Sequence, residues 1–140
     1  MGTRATVQIQ VNEVPLLTIY RQYDGYLDAM GREILSQITK ENVNGYSDSK
    51  AQFNGPTNLC AMLVCVLNKS NITKNDVECG NVYIQDHPEH TNQYNDYRYT
   101  INFENPLAKP LIKVDSYGEI TNWMTVEEFS EHIEKEYLED

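Results

Sequence analysis

The side chains in this 140-residue chain with the most distinctive chemistry are four arginines and ten tyrosines. Arg4 opens "RATVQIQV", Arg21 lies in "IYRQYDGY" between Tyr20 and Tyr23, and Arg98 alternates with Tyr97 and Tyr99 in "YRYTINF". A guanidinium is a planar fork that matches the oxygens of a phosphate. A tyrosine ring can lie against a base while its hydroxyl stays in water. Asn92, Gln93 and Asn95 supply amides that can read a base edge. Cations, aromatics and amides together describe a site for a small nucleotide. The competing structural reading is that Arg21 pairs with Asp24 or Asp28 to pin the start of a helix, with the tyrosines as plain interface.

Other chemistries find less support. There is no G-x-S-x-G turn, no phosphate-binding glycine loop and no C-x-x-C pair. The three cysteines, Cys60, Cys65 and Cys79, are odd in number, which argues against a disulfide framework. They are expected to be buried free thiols in a reducing compartment. Asp86, His87, Glu89 and His90 in "DHPEH" carry metal-ligand chemistry, but their spacing fits no established signature. No metal site, no cofactor and no catalytic residue are predicted, so the chain is expected not to be an enzyme.

Charge narrows the choice of partner. Net charge is −10, and seven glutamates from Glu119 to Glu139 precede Asp140. Such a surface repels polynucleotide phosphate, so long nucleic acids are excluded and an anionic ligand must be small. No apolar run reaches the roughly 18 residues of a membrane span. The chain begins directly with an alternating strand and shows no leader pattern, so the cytoplasm is expected.

Hydrophobic periodicity supplies the elements that would position these residues. Residues 4–11 alternate, with Ala5, Val7, Ile9 and Val11 on one side and Arg4, Thr6, Gln8 and Gln10 on the other. "NEVP" can turn the chain into 16–23, an antiparallel partner whose apolar set Leu17, Ile19 is continued by Arg21 and Tyr23. Asp24-Gly25 signals a turn, and from Tyr26 a helix follows with Met30, Ile34, Leu35 and Ile38 on one face. Residues 41–55 read as a loop. A second helix over 55–69 starts with Pro56 near its first position and is apolar on nearly every side, as for burial against the sheet or a partner chain. Strands are expected at 81–86 and 97–103, with a polar loop at 87–96 between them. A hairpin follows over 110–123, turning at Tyr117-Gly118. Thr125 and Glu128 form a capping box for a last helix that buries Phe129, Ile133 and Tyr137. The sum is one α+β domain over 1–140: an antiparallel sheet of about five to six strands, with two long helices and a C-terminal helix on one side.

"RAT" at 4–6, "IYRQYDGY" at 19–26, Gly31, "NGPTNLCA" at 54–61, "VYI" at 82–84, "DYRYTI" at 96–101 and the final "TVEEF" resemble a family of small phage proteins, the Thoeris anti-defence sponges of the first described type. The most specific of these stretches is "YRQYDGY". The resemblance implies a protein that binds a cyclic ADP-ribose isomer, made from NAD by a bacterial immune TIR-domain protein, and sequesters it undegraded. It implies an antiparallel sheet with two helices, a homodimer that joins into a larger ring such as a hexamer, a ligand at the interface between subunits and, in some members, cyclic trinucleotides at a separate site. Carried onto this chain, it places Arg4, Arg21 and Tyr23 near the phosphates, Tyr83 as an aromatic contact and Asn92 as a hydrogen-bond partner, with Val82, Arg98 and Lys109 nearby. Asp24 and Gly25 would shape the turn. The chain departs from the family pattern in its long polar segment "DHPEHTNQYN" and at Leu27 and Asp28, where a proline and a small or basic residue are expected. The alternatives are a small acidic interaction module or virion accessory protein with no small-molecule ligand, and an enzyme that degrades the signal.

Overall fold

The computed structural model describes residues 2–43, 45, 50–85 and 95–138. Strands β1 (Ala5–Val11) and β2 (Val14–Arg21) form the expected hairpin. Its two-residue turn puts Asn12 and Glu13 at φ 50° and 64°. Positive φ at both central positions matches the right-handed twist of the flanking strands, and asparagine tolerates it well. A register shift lies between Ile9 and Gln10, with Pro15 opposite Gln10. Proline has no N–H to give the ladder, so an irregularity is a natural place for it.

The chain then makes a π-helical turn at Leu27–Gly31, helix α1 (Arg32–Ile38), two short paired strands β3 (Glu41–Asn42) and β4 (Gln52–Phe53), and helix α2 (Gly55–Leu67). Strands β5 (Val82–Ile84), β6 (Tyr97–Phe103), β7 (Leu111–Ser116) and β8 (Glu119–Ile120) complete the sheet before helix α3 (Val126–Leu138). The six-stranded sheet has the order β5-β2-β1-β6-β7-β8. The fold is α+β, with three helices against a mostly antiparallel sheet.

Several expectations need correction. The central pair, β1 with β6, is parallel. The intervening helices cross the sheet and return the chain in the same direction, as a parallel neighbour requires. The first helix is only seven α-helical residues behind a π turn. The 41–55 segment contains the parallel pair β3–β4, because Phe53 is 2% exposed and anchors it in the core. α2 buries one face, through Pro56, Leu59, Cys60, Leu63 and Leu67, while Ala61 and Cys65 are exposed. Only Cys60 is a buried thiol; Cys65 and Cys79 are exposed. The five-residue spacing of Cys60 and Cys65 does place them on different sides of α2.

One face of the sheet carries Ala5, Val7, Ile9, Ile19, Ile101, Ile112 and Val114, all 0% exposed, and these join Leu59, Leu63, Phe129 and Ile133 of the helices in a single core. The capping box is formed: Thr125 N–H donates to Glu128 Oε1 at 2.9 Å and Glu128 N–H to Thr125 Oγ1 at 3.2 Å. The Tyr137 side chain lies outside the described residues. Among them, no helix is long and apolar enough to cross a membrane.

Burial pushes the Cys60 thiol up from 9.0 to about 11. Between those two values the folded state holds more protons than the unfolded state. Stability is therefore expected to fall as pH rises from 9.0 toward about 11. Thiol labelling of the native protein should modify Cys65 and Cys79, and Cys60 only on unfolding; denaturant melts across that pH range and mass-resolved labelling check both.

Candidate functional site

"YRQYDGY" is organised around Arg21. It is the last residue of β2 and points to the helix side of the sheet, where it is 8% exposed. Its Nε donates to the Tyr23 carbonyl at 2.9 Å, and its Nη1 donates to Glu33 Oε1 at 2.8 Å. Both side chains of this ion pair are largely buried. The partner is therefore Glu33, in the first turn of α1, and neither Asp24 nor Asp28. A buried guanidinium needs such a partner, and a carboxylate is favoured at a helix start.

The rest of the motif folds back over the start of β1. Asp24 has φ 60°. Gly25 N–H donates to the Thr3 carbonyl at 2.9 Å, and the buried Tyr99 hydroxyl donates to the Gly25 carbonyl at 2.8 Å. A Cβ on Gly25 would stand 2.5 Å from Ala5 Cβ, so only glycine fits this approach. Tyr23 stays exposed, with Gly2 lying against its ring. Asp28 instead pairs with Arg32, which also binds Glu134 of α3 at 3.0 Å. Those two carboxylates raise the Arg32 pKa further, the Asp28 hydrogen bond most.

The strand register sorts the other predicted residues. Ala5 faces Arg21, so Arg4 begins the strand beside it, as expected from the hairpin. The Arg4 side chain is exposed, whereas the Arg21 head is turned under the sheet toward Glu33. Val82 pairs with Arg21, and Tyr83 with Tyr20. Tyr20 pairs with Thr6, Thr6 with Arg98, and Arg98 with Asp115. Tyr83, Tyr20, Thr6, Arg98 and Asp115 thus form one row across five strands, on the face opposite the helices. The Tyr20 and Tyr83 rings lie 5.9 Å apart. Three strand spacings, about 14 Å, separate Tyr83 from Arg98.

Two expectations fare differently. Tyr97 and Tyr99 point to the helix side, where Tyr99 is 1% exposed, so they do not flank Arg98 on its own face. Lys109 precedes β7 at the far end of the sheet. Roughly 13 Å of strand runs from the Arg98 row to Leu111 alone, so Lys109 stands apart from the other predicted residues. Asn92, Gln93 and the Asp86, His87, Glu89, His90 group lie outside the described residues. Among the described residues no cluster of His, Cys, Asp and Glu has metal-ligand geometry.

The comparisons with known proteins add no identity. No family model, no curated protein and no solved structure matches this chain.

A second row, missed in the sequence, runs beside the first: Thr18, Gln8, Thr100 and Lys113. Thr6, Gln8 and Thr18 are 1%, 7% and 0% exposed on the face opposite the helices. Gln8 Nε2 donates to Thr18 Oγ1 at 3.0 Å. Lys113 Nζ lies 4.8 Å from the Trp123 ring centre. The alternation of Arg4, Thr6, Gln8 and Gln10 marked this side as polar, but only the register shows what stands beside each residue.

The Arg21–Glu33 pair gives a direct prediction. Glu33→Ala should destabilise the protein by about 3 kcal/mol, because it leaves a buried guanidinium without its charge partner. The double change Arg21→Met with Glu33→Leu should recover most of that loss; urea unfolding of both variants measures it.

Proposed function

We propose that this protein captures a cyclic ADP-ribose isomer and holds it intact, as the resemblance to the Thoeris anti-defence sponges implies. The observation that carries the reading is the row Tyr83, Tyr20, Thr6, Arg98 on the face of the sheet opposite the helices. Aromatic rings at one end suit the base. The Arg98 guanidinium, three strands away and next to Asp115, suits the diphosphate. The length of the row suits a molecule built from one base, two sugars and two phosphates.

Arg4, next to the start of β1, would extend this surface, with Tyr23 exposed at the same end of the sheet. Arg21 acts here as a positioning residue: it holds the Tyr23 carbonyl while Glu33 holds it. A second copy of the chain would supply the other wall, since stoichiometric capture needs enclosure and slow release. The acidic exterior keeps long nucleic acids away. The site of action would be the bacterial cytoplasm, where a TIR-domain protein makes the signal. Among the described residues, no group on this face is arranged as a nucleophile with its base, and capture is the activity proposed.

The test is to incubate the protein with cyclic ADP-ribose isomers, filter, heat-denature the retained fraction and run mass spectrometry. Intact ligand should be recovered near one per subunit, and Arg98→Ala and Tyr83→Ala should each weaken retention about tenfold or more. Recovery of linear product would establish an enzyme instead. No retained ligand and no product would leave this face as a protein-contact surface.

A further inference from the structure

Lys109 belongs to a different place in the molecule. It lines a cleft of about 410 Å³ between the C-terminal end of α1, the first turn of α3 and the loop before β7. That volume lies in the range of small-molecule sites. Lys40 lines the same cleft, as do Glu41 and Glu127, against an apolar wall that includes Ile38 and Val126.

The walls are tied down independently. Asn42 Nδ2 donates to the Pro106 carbonyl at 3.0 Å and to the Ala108 carbonyl at 2.8 Å, while its Oδ1 accepts from Gly55 N–H at 2.9 Å. One side chain thereby anchors the loop that carries Lys109. On the other side, Ile112 and Met124 exchange backbone hydrogen bonds of 2.9 and 2.7 Å, fixing the approach to α3, and the capping box fixes its first turn. The cleft is thus preformed, which lowers the entropic cost of filling it.

Its chemistry selects a class of ligand. Among the described residues none of Lys40, Lys109, Glu41 and Glu127 is in an ion pair, so two ammonium and two carboxylate groups are offered to a guest. A polyphosphate would meet both carboxylates as well as the lysines. A base would find no aromatic ring, for none lines the cleft. A guest with one charge of each sign and an apolar body satisfies both pairs and the apolar wall. We propose that this cleft binds a short peptide-like zwitterion, of which a dipeptide of apolar residues is the type. The charges are near the surface, so they give selectivity more than affinity. This site is separate from the nucleotide face and does not depend on it.

Amide NMR titration of the whole protein with the dipeptide Leu-Leu is the test. Saturable shifts are expected around Lys40, Lys109 and Val126. N-acetyl-Leu-Leu, which lacks the ammonium, and Leu-Leu amide, which lacks the carboxylate, should each bind about tenfold more weakly. Lys109→Ala should weaken the parent dipeptide and leave the amide form unchanged. The proposal is overturned if either blocked peptide binds as tightly as the parent, or if pyrophosphate binds the same amides more tightly. It is equally overturned if no saturable shift appears there up to about 10 mM.

Discussion

A single buried ion pair, Arg21 with Glu33, joins the two halves of this architecture. It ties the last residue of β2 to the first turn of α1, and through the Tyr23 carbonyl it also fixes the path between them. Everything in the 22–31 segment follows from that path. Gly25 can approach Ala5 only because the chain is drawn back over β1, and Tyr99 can reach its carbonyl only from there. The π turn then delivers Leu27 and Met30 to the core. An arginine in the apolar series of a strand is costly unless it is paired, and here the pair does the work of a covalent strut.

The pair also divides the cations by role. Arg21 is spent inside the molecule, Arg32 links α1 to α3, and Arg98 stands on the face of the sheet opposite the helices. That face owes its character to β1, which is flanked on both sides. Its small polar residues hydrogen-bond to one another, Gln8 to Thr18 across strands and Gln10 to Gln8 along β1. A polar surface held this way is stiff, because each side chain is confined by the ladder that carries it.

Much of this was legible in the sequence. Period-two alternation located β1, β2 and β6, and the Thr125–Glu128 spacing announced the start of α3. What was not legible depends on pairings between distant segments. Nothing local distinguishes a parallel from an antiparallel neighbour for "YRYTINF", since both directions show the same alternation. Nor does it reveal that Glu33, rather than the nearer Asp24 or Asp28, would meet Arg21; that choice is set by the fold-back at Gly25. Lys109 was grouped with the arginines by resemblance, and the strand direction moved it to the other end. The apolar circumference of α2 overstated its burial because Ala61 and Cys65 are small enough to remain at the surface.

The parallel pairing of β1 with β6 has a consequence during synthesis. β1 precedes both α1 and α2, and its second neighbour is made only after both have been made. At about 5–20 residues per second, the ribosome leaves one edge of the central strand open for several seconds or more. In that interval β1 has only β2 beside it, a two-stranded ribbon of marginal stability. The helices must wait as well, for the sheet face they cover is incomplete. The molecule therefore closes late, with its central strand enclosed only once β6 has been made.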